Sequence, residues 1–169
     1  MRKHIHILTG LFILFGFNLV NGQGQTWRWN FGNNAALFFP GAGAPVATVG
    51  SAMTTFEGCA SIGTASGALA FYTNGNKVWN ANNIQMANGF GLLGNSSTTQ
   101  AAIIVPRPGS TTLYYVFCSS SNFSPGTLSY SEVDMTLNAG LGDVTATKNV
   151  VIQNNIAEKL TAVRHCNGV

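Results

Sequence analysis

Apolar and polar residues alternate over several short stretches of this chain. In LSYSEVDMTL, the apolar side chains of Leu128, Tyr130, Val133 and Met135 are interspersed with Ser, Glu and Asp. TTLYYVFCSS is an uncharged run with aromatic and β-branched residues, and TATKNVVIQ ends a third such stretch. Alternation with a period of two, together with β-branched and aromatic residues, is typical of β-strands. The pattern therefore predicts a chain made mainly of strands.

Clusters of Gly, Asn, Ser and Pro separate these stretches at short intervals. Asn74 and Gly75, inside GALAFYTNGNKVWN, predict a hairpin turn because both residues tolerate a positive φ. Short strands punctuated by such turns indicate an all-β domain. Helical periodicity is scarce, and a short helix over residues 155–163, NIAEKLTAV, is the alternative to extended chain there.

Three segments share one pattern: EGCASIGTASGALAFYT, QAAIIVPRPGSTTLYYVF and EKLTAVRHCNGV. They start at Glu57, Gln100 and Glu158, so successive starts lie 43 and 58 residues apart. Each continues through an apolar alternating stretch and reaches a Gly nine or ten residues after its start. An aromatic strand follows in the first two segments, whereas the sequence stops one residue after Asn167 and Gly168 in the third.

Repeats of about 40–50 residues are typical of the four-stranded blades of β-propellers. We therefore expect residues 23–169 to form a partial β-propeller-like domain, with about two blades and the start of a third. On this interpretation the third unit is cut, and the chain is a fragment of a longer protein. A β-sandwich or jelly roll, in which Gly-bounded strands also recur, is the alternative fold.

Residues 1–22 have the composition of a secretory signal peptide. Arg2 and Lys3 give a basic start, residues 7–20 are mainly apolar, and Gly22 suits a cleavage site. The apolar stretch is shorter than the roughly 20 residues that a spanning helix needs, and no later run is long enough either. We expect an exported protein that is secreted or held at the cell surface, without a membrane span after cleavage.

Charge is low and nearly balanced after the leader. Residues 23–169 hold six Lys or Arg and five Asp or Glu, which gives a net charge of +1. No basic patch of the kind that binds a phosphate backbone is present, so nucleic acid is excluded as a partner. The abundance of apolar and aromatic residues argues against disorder.

Paired carboxylates are the first candidates for catalysis, because glycosidases use two that face one cleft. Glu57 and Glu158 occupy the same repeat position, which favours a structural role at a turn or blade junction. Glu132 and Asp134 lie two apart on a predicted strand and face one side. An acid pair or cation site is therefore the alternative to a solvated strand face. Asp143 lies in a Gly-rich stretch that does not match an EF-hand loop. We predict no catalytic residues, no metal site and no cofactor.

The cysteines are Cys59, Cys118 and Cys166, an odd number that leaves at least one unpaired within the chain. Cys59 and Cys118 fall in apolar stretches, where a buried thiol behaves as a small hydrophobic side chain. A Cys59–Cys118 disulfide is the alternative. After the leader His165 is the one histidine, so a zinc site would need distant partners of other types.

Trp27, Trp29 and Trp79 allow two interpretations. Their rings are suited to stacking on sugars, and they are equally suited to filling joints between repeats. The structural interpretation is favoured.

A series of motifs runs in order from Trp27 to Gly168: WRWNFGNNAALFF, FEGCASI, LAFYTNGNKVWN, GLLGNSSTTQAAIIVPRPGS, LYYVF, YSEVDMTLNAGLGDV, KNV and EKLTAVRHCNG. The series resembles the N-terminal propeller-like region of large exported proteins of the Bacteroidota. Those proteins typically carry a gliding-motility-associated type B sorting domain of the type IX secretion system. The resemblance implies further repeats and a sorting domain beyond the third segment, and it carries over no catalytic residue.

These observations lead us to expect a non-catalytic module at the cell surface or outside the cell. Scaffolding, adhesion and glycan binding are the expected roles, and an extracellular glycan or a surface protein is the expected kind of partner. The alternative is the N-terminal part of a secreted propeller hydrolase, whose active site would be completed by downstream residues.

Overall fold

Antiparallel strands form the regular structure of the computed structural model, which describes residues 24–41, 43–120 and 126–163. Within these ranges there are eleven strands, two short 3-10 turns and no α-helix, so the all-β prediction is confirmed. The same ranges contain no helix that is long and apolar enough to cross a membrane. The strands are β1 (Arg28–Phe31), β2 (Asn33–Phe38), β3 (Val46–Thr54), β4 (Ala60–Gly63), β5 (Leu69–Thr73), β6 (Val78–Asn80), β7 (Ala102–Pro106), β8 (Leu113–Ser119), β9 (Gly126–Asp134), β10 (Asp143–Val144) and β11 (Val150–Ile156).

The strands form three small antiparallel sheets, each from consecutive stretches of chain. The N-terminal sheet has the order β1-β2-β3, and the middle sheet has the order β4-β5-β6. The C-terminal sheet runs β7-β8-β9, and both β10 and β11 pair with the free edge of β9. A single bridge between Trp79 and Gln85 adds a short fourth element to the middle sheet. Each sheet is therefore a meander of neighbouring strands.

The middle sheet lies between the other two and is covered on both faces. Phe71 and Tyr72 follow one another on β5, so their side chains point to opposite faces. Phe71 meets Tyr114 of β8 edge to face, with ring centroids 5.4 Å apart. On the opposite face Tyr72 packs with Met53 of β3 and with Trp79. Two hydrophobic clusters thus hold three layers together.

The outward side of the N-terminal sheet remains apolar and exposed. Trp29 lies opposite Leu37, while Phe31 and Val49 both lie opposite Ala35, so these side chains share one face. Val49 is 98% exposed and Trp29 is 51% exposed. We call Trp29, Phe31, Leu37 and Val49 the N-terminal outer face.

The outward side of the C-terminal sheet carries a group of aromatic rings. Tyr115, Phe117 and Tyr130 have ring centroids between 5.5 and 6.1 Å apart. Their neighbours Tyr114 and Val116 point inward to the core, as the alternation of β8 requires. We call Tyr115, Phe117 and Tyr130 the C-terminal outer face.

The first two repeat segments form equivalent hairpins. The first gives β4 and β5, and the second gives β7 and β8. Gly67 and Gly109 occupy the connecting turns with φ of +86° and +75°, a region that favours glycine. In the third segment, residues 158–163 form no strand, and Gly168 lies outside the described residues.

Hydrogen bonds join the start of each unit to the start of the next. The amide of Gly58 donates to the carbonyl of Thr98 at 3.1 Å, just before the second start. The amide of Gln100 donates to the carbonyl of Glu158 at 3.1 Å, at the third start. The starts of successive units therefore lie side by side.

The structure bears on two of the three local predictions, namely the hairpin at Asn74-Gly75 and the helix over residues 155–163. The Asn74-Gly75 hairpin is confirmed, with a four-residue connection at 74–77 in which the side chain of Asn74 accepts the amides of Asn76 and Lys77. The alternative of a helix over residues 155–163 is wrong, because β11 runs to Ile156 and the chain continues without a helix to residue 163. The predicted signal peptide, residues 1–22, lies outside the described residues.

Candidate binding cleft between two sheets

A cleft of about 370 Å³ opens between the N-terminal and middle sheets. The inner face of the N-terminal sheet forms one wall, and the start of β5 with the loop after β6 forms the other. The lining residues are Arg28, Asn30, Ala36, Leu37, Thr48, Val49, Gly50, Ser51, Ala68, Leu69, Ala81 and Asn83. None of them is acidic.

The alternation of side chains along β1 places Arg28 and Asn30 in this cleft. The two residues are separated by one position on β1, so they share the inner face, while Trp29 points outward. Asn30 lies opposite Ala36 in the register of β1 and β2, and the small alanine side chain leaves the space open. The pattern RWNF therefore places polar groups inward and aromatic rings outward.

The guanidinium of Arg28 is held without an acidic partner. Its Cζ lies 3.9 Å from the ring centroid of Phe38, in a cation–π contact. Its Nε donates a long hydrogen bond of 3.4 Å to the carbonyl of Gly67. Within the described part of the chain, the ion pair is between Arg107 and Glu132, and Arg28 forms no salt bridge. The Nη groups of Arg28 are left without a carboxylate.

Asn30 brings a side-chain amide to the cleft. The residue is 6% exposed. Its backbone N–H donates to Ser61 Oγ at 3.2 Å, but its side-chain amide has no hydrogen bond within the described ranges. Because this amide is not among the buried polar atoms that lack a partner, it is open to solvent in the cleft and can bond an incoming ligand.

Tyr72 fixes the opposite wall. Its hydroxyl accepts the amide of Ala52 at 2.8 Å and donates to Asn83 Oδ1 at 2.8 Å. Its ring stacks on Trp79 with centroids 5.5 Å apart. Because Oδ1 of Asn83 is occupied, the orientation of its amide is set, and the Nδ2 donor has no protein acceptor in the part of the chain described here.

Glu132 and Asp134, whose pairing as an acid or cation site was the alternative to a solvated strand face, each bind a different group. Glu132 Oε2 accepts from Arg107 Nη1 at 2.8 Å. Asp134 Oδ1 instead caps the following turn, where it accepts the amide and hydroxyl of Thr136 at 2.8 Å each. Each carboxylate is committed to its own structural partner, and neither lines the cleft.

The other candidate carboxylates have separate roles. Asp143 Oδ1 accepts the amides of Asn88 and Val144. Glu158 Oε2 accepts the amide and hydroxyl of Thr99 at 2.9 and 3.1 Å. Glu57, at the equivalent repeat position, is exposed and its carboxylate makes no contact of this kind. The structural role that repetition favours therefore has a contact to support it at Glu158 but not at Glu57.

The three tryptophans occupy different environments. Trp79 is 7% exposed and stacked in the core. Trp27 lies against the turns at Gly41 and Gly67, where a Cβ on either glycine would overlap its ring. Trp29 is the exposed one; its Nε1 donates to the carbonyl of Thr26 at 2.9 Å, and its ring contacts Phe39. Packing accounts for Trp27 and Trp79.

Cys59 and Cys118 carry free thiols and are not bonded to each other. Cys118 is buried, and its Sγ lies 3.4 Å from the carbonyl of Gly75. Burial raises the pKa of the Cys118 thiol to about 12, and burial also raises the pKa of Cys59. Cys166 and His165 lie outside the described residues, among which no group of three metal-ligating side chains occurs.

The cleft was missed from the sequence. Arg28 and Asn30 are part of an ordinary alternation, and the role of Asn83 depends on a hydroxyl eleven residues away. The sequence offers one signal: in β1, Arg28 and Asn30 alternate with Trp29 and Phe31. This alternation predicts one polar and one aromatic face, and the polar face is not suited to an apolar core.

Comparison with known proteins gave no match. No protein family matches the chain, no curated protein is similar to it, and no solved structure matches its fold.

Proposed function

We propose that this chain is a non-catalytic exported module of the cell surface or extracellular space, part of a β-propeller-like array, that acts as a scaffold through its apolar sheet faces. The carrying observation is the contrast between the middle sheet, covered on both faces, and the flanking sheets, whose N-terminal outer face is exposed and whose C-terminal outer face is half-buried. Large exposed apolar patches mark interaction surfaces.

Three features support the propeller-like array. The sheets are meanders of consecutive strands, three of them lie in succession, and the unit starts are hydrogen bonded side by side. A sandwich consists of two packed sheets, so a third layer favours the array. Export and the kinship with Bacteroidota surface proteins are supported by the leader and the motif series.

The hydrogen bonds that hold the carboxylates in structural roles support a non-catalytic role. A glycosidase needs two carboxyl groups about 5–9.5 Å apart across one cleft. Glu132, Asp134, Asp143 and Glu158 each hold a different structural partner. Nothing in the described chain favours the hydrolase alternative.

Self-association of the full chain tests the scaffold role, because in a pure sample the outer faces can bind only other copies of the same chain. We expect sedimentation velocity to show concentration-dependent association of the wild type. Val49→Asp and Phe117→Asp place a charge on the N-terminal and C-terminal outer faces, and each should reduce association. Asn82→Asp, which adds the same charge in an exposed loop of the middle sheet, is the matched control.

Two results would overturn the proposal. One is a wild-type chain that stays monomeric at every concentration and melts sharply and reversibly. The other is robust hydrolysis of a polysaccharide or peptide that Glu132→Gln or Asp134→Asn abolishes, since that would make the acid pair an active site.

A further inference from the structure

We propose that the cleft between the N-terminal and middle sheets binds a carboxylate-bearing sugar, that is, a single uronic acid residue. The cleft shares Leu37 and Val49 with the N-terminal outer face, but its polar groups Arg28 and Asn30 lie on the opposite face of β1. Binding there goes beyond the scaffold role and does not depend on it. The inference rests on a guanidinium without a carboxylate partner, the side-chain amide of Asn30, the free Nδ2 of Asn83 and a lining without acids.

Arg28 supplies the charge that a carboxylate requires. A guanidinium presents a planar fork of donors that matches a carboxylate in a bidentate geometry. Stacking on Phe38 and the Nε contact with Gly67 fix the plane of the fork while leaving its Nη donors unused by carboxylates. A fixed fork loses less conformational freedom when it binds.

Asn30 and Asn83 supply the groups that recognise hydroxyls. A side-chain amide both donates and accepts, which suits a sugar hydroxyl that does the same. Tyr72 holds Asn83 so that its Nδ2 is the free end. The side-chain amide of Asn30 has no hydrogen bond within the described ranges, so a ligand hydroxyl can both donate to it and accept from it.

Size and wall chemistry fit one sugar ring. Ligand clefts span about 300–1,000 Å³, so a cleft of about 370 Å³ lies at the small end of the range. Ala36, Ala68 and Leu69 form apolar patches between the polar groups. A pyranose ring offers the same mixture of C–H faces and hydroxyl edges.

Calorimetric titration of the full chain with D-galacturonic acid, D-galactose and galactose 6-phosphate tests the site. We expect binding of the uronic acid, with galactose weaker by roughly tenfold or more because the charge-assisted hydrogen bonds are absent. Equal binding of galactose, stronger binding of the sugar phosphate, or no binding of galacturonic acid would each overturn the proposal.

Asn83→Asp is the sharpest variant. It adds a negative charge to the cleft, keeps an oxygen for the Tyr72 hydroxyl, and suits the left-handed backbone of Asn83, whose φ is +62°. We expect affinity for galacturonic acid to fall by roughly tenfold or more. Asn155→Asp makes the same change at an exposed residue of β11 with φ of +60°, and it should leave affinity unchanged.

Arg28→Gln provides a second, independent test. It removes the charge while keeping an amide in place, so binding of galacturonic acid should fall to the level of galactose. Circular dichroism confirms that each variant is folded before titration. Unchanged affinity in both Asn83→Asp and Arg28→Gln would show that the sugar binds elsewhere. The scaffold role has its own readout in sedimentation, so failure of one proposal is distinguishable from failure of the other.

Discussion

Gly67 and Gly109 hold the same turn position in two repeat units, yet their surroundings differ. Both have a positive φ, so a side chain at either position is strained. At Gly67 a Cβ would overlap the ring of Trp27, whereas nothing lies within 4 Å at Gly109. The pair therefore separates the cost of backbone conformation from the cost of a steric clash.

Alanine substitution at the two glycines should give unequal losses. We expect Gly109→Ala to lower the free energy of unfolding by about 1–2 kcal/mol through left-handed strain alone. Gly67→Ala should lose about 1–3 kcal/mol more, because Trp27 must move. Urea unfolding measures both values. Equal losses would mean that Trp27 is free to shift and does not seal the turn.

The buried thiol of Cys118 makes stability depend on alkaline pH. An unfolded thiol titrates near pH 8.5, whereas burial raises the pKa of folded Cys118 to about 12. Because the folded pKa is raised, the stability that the neutral thiol contributes is present below the unfolded pKa. It is lost as pH rises toward the folded value.

Unfolding free energies of wild type and Cys118→Ala, measured from about pH 7 to pH 11, check this dependence. The wild type should lose more stability than the variant above about pH 9. The difference between the two chains removes contributions from Tyr and Lys residues, which both contain. Parallel curves would show that the Cys118 thiol is not buried in solution.

At the scale of elements, one hydroxyl ties the N-terminal sheet to the middle sheet. The Tyr72 hydroxyl bridges Ala52 of β3 and Asn83 of the loop after β6. Tyr72→Phe leaves both partners unpaired and should cost about 1–3 kcal/mol of unfolding free energy. Tyr115→Phe on the C-terminal outer face, whose hydroxyl makes no hydrogen bond in the described ranges, should change it by less than about 0.5 kcal/mol. Thermal or urea unfolding compares the two variants; similar losses would contradict the bridge.

The carboxylate of Glu158 ties residues 158–160 to the start of the second unit. Glu158→Ala removes two hydrogen bonds to Thr99 and should cost about 0.5–1.5 kcal/mol. Faster hydrogen exchange at the amides of Thr99 and Gln100 should accompany this loss. Glu57→Ala, at the equivalent repeat position, should affect neither measurement, and a matching effect there would show that the contact is not specific to the third unit.

Sequence patterns predicted some elements well and others not at all. Strands β8 and β9 follow long apolar or alternating runs, and one face of each is buried as those runs predict. The apolar residues of β11 also predicted a strand, but nearly all of that strand is exposed. Strands β2 and β3 contain small residues such as Ala35, Ala36 and Gly50, which carry little apolar signal. The cleft forms because the N-terminal sheet packs against the middle sheet. Periodicity within one strand carries no information about which two sheets pack together.

At the scale of the whole molecule, self-association through the apolar outer faces should depend on the kind of salt in solution. Association through apolar faces is strengthened by sulfate, which is excluded from protein surfaces, and is little affected by screening. We expect sodium sulfate to increase self-association and moderate sodium chloride to leave it nearly unchanged. Light scattering at constant protein concentration distinguishes these outcomes. Dissociation by sodium chloride would instead indicate contacts between charges.

The sheets are made of consecutive stretches of chain, and this order governs how the molecule can assemble. A chain that emerges from the ribosome with its N-terminus first completes the N-terminal sheet by residue 54 and the middle sheet by residue 80. At that point Phe71 lacks its ring partner Tyr114, which emerges later on β8. During that interval the middle sheet has one bare apolar face, so the time between residues 80 and 119 is when the emerging chain is most open to capture by a chaperone.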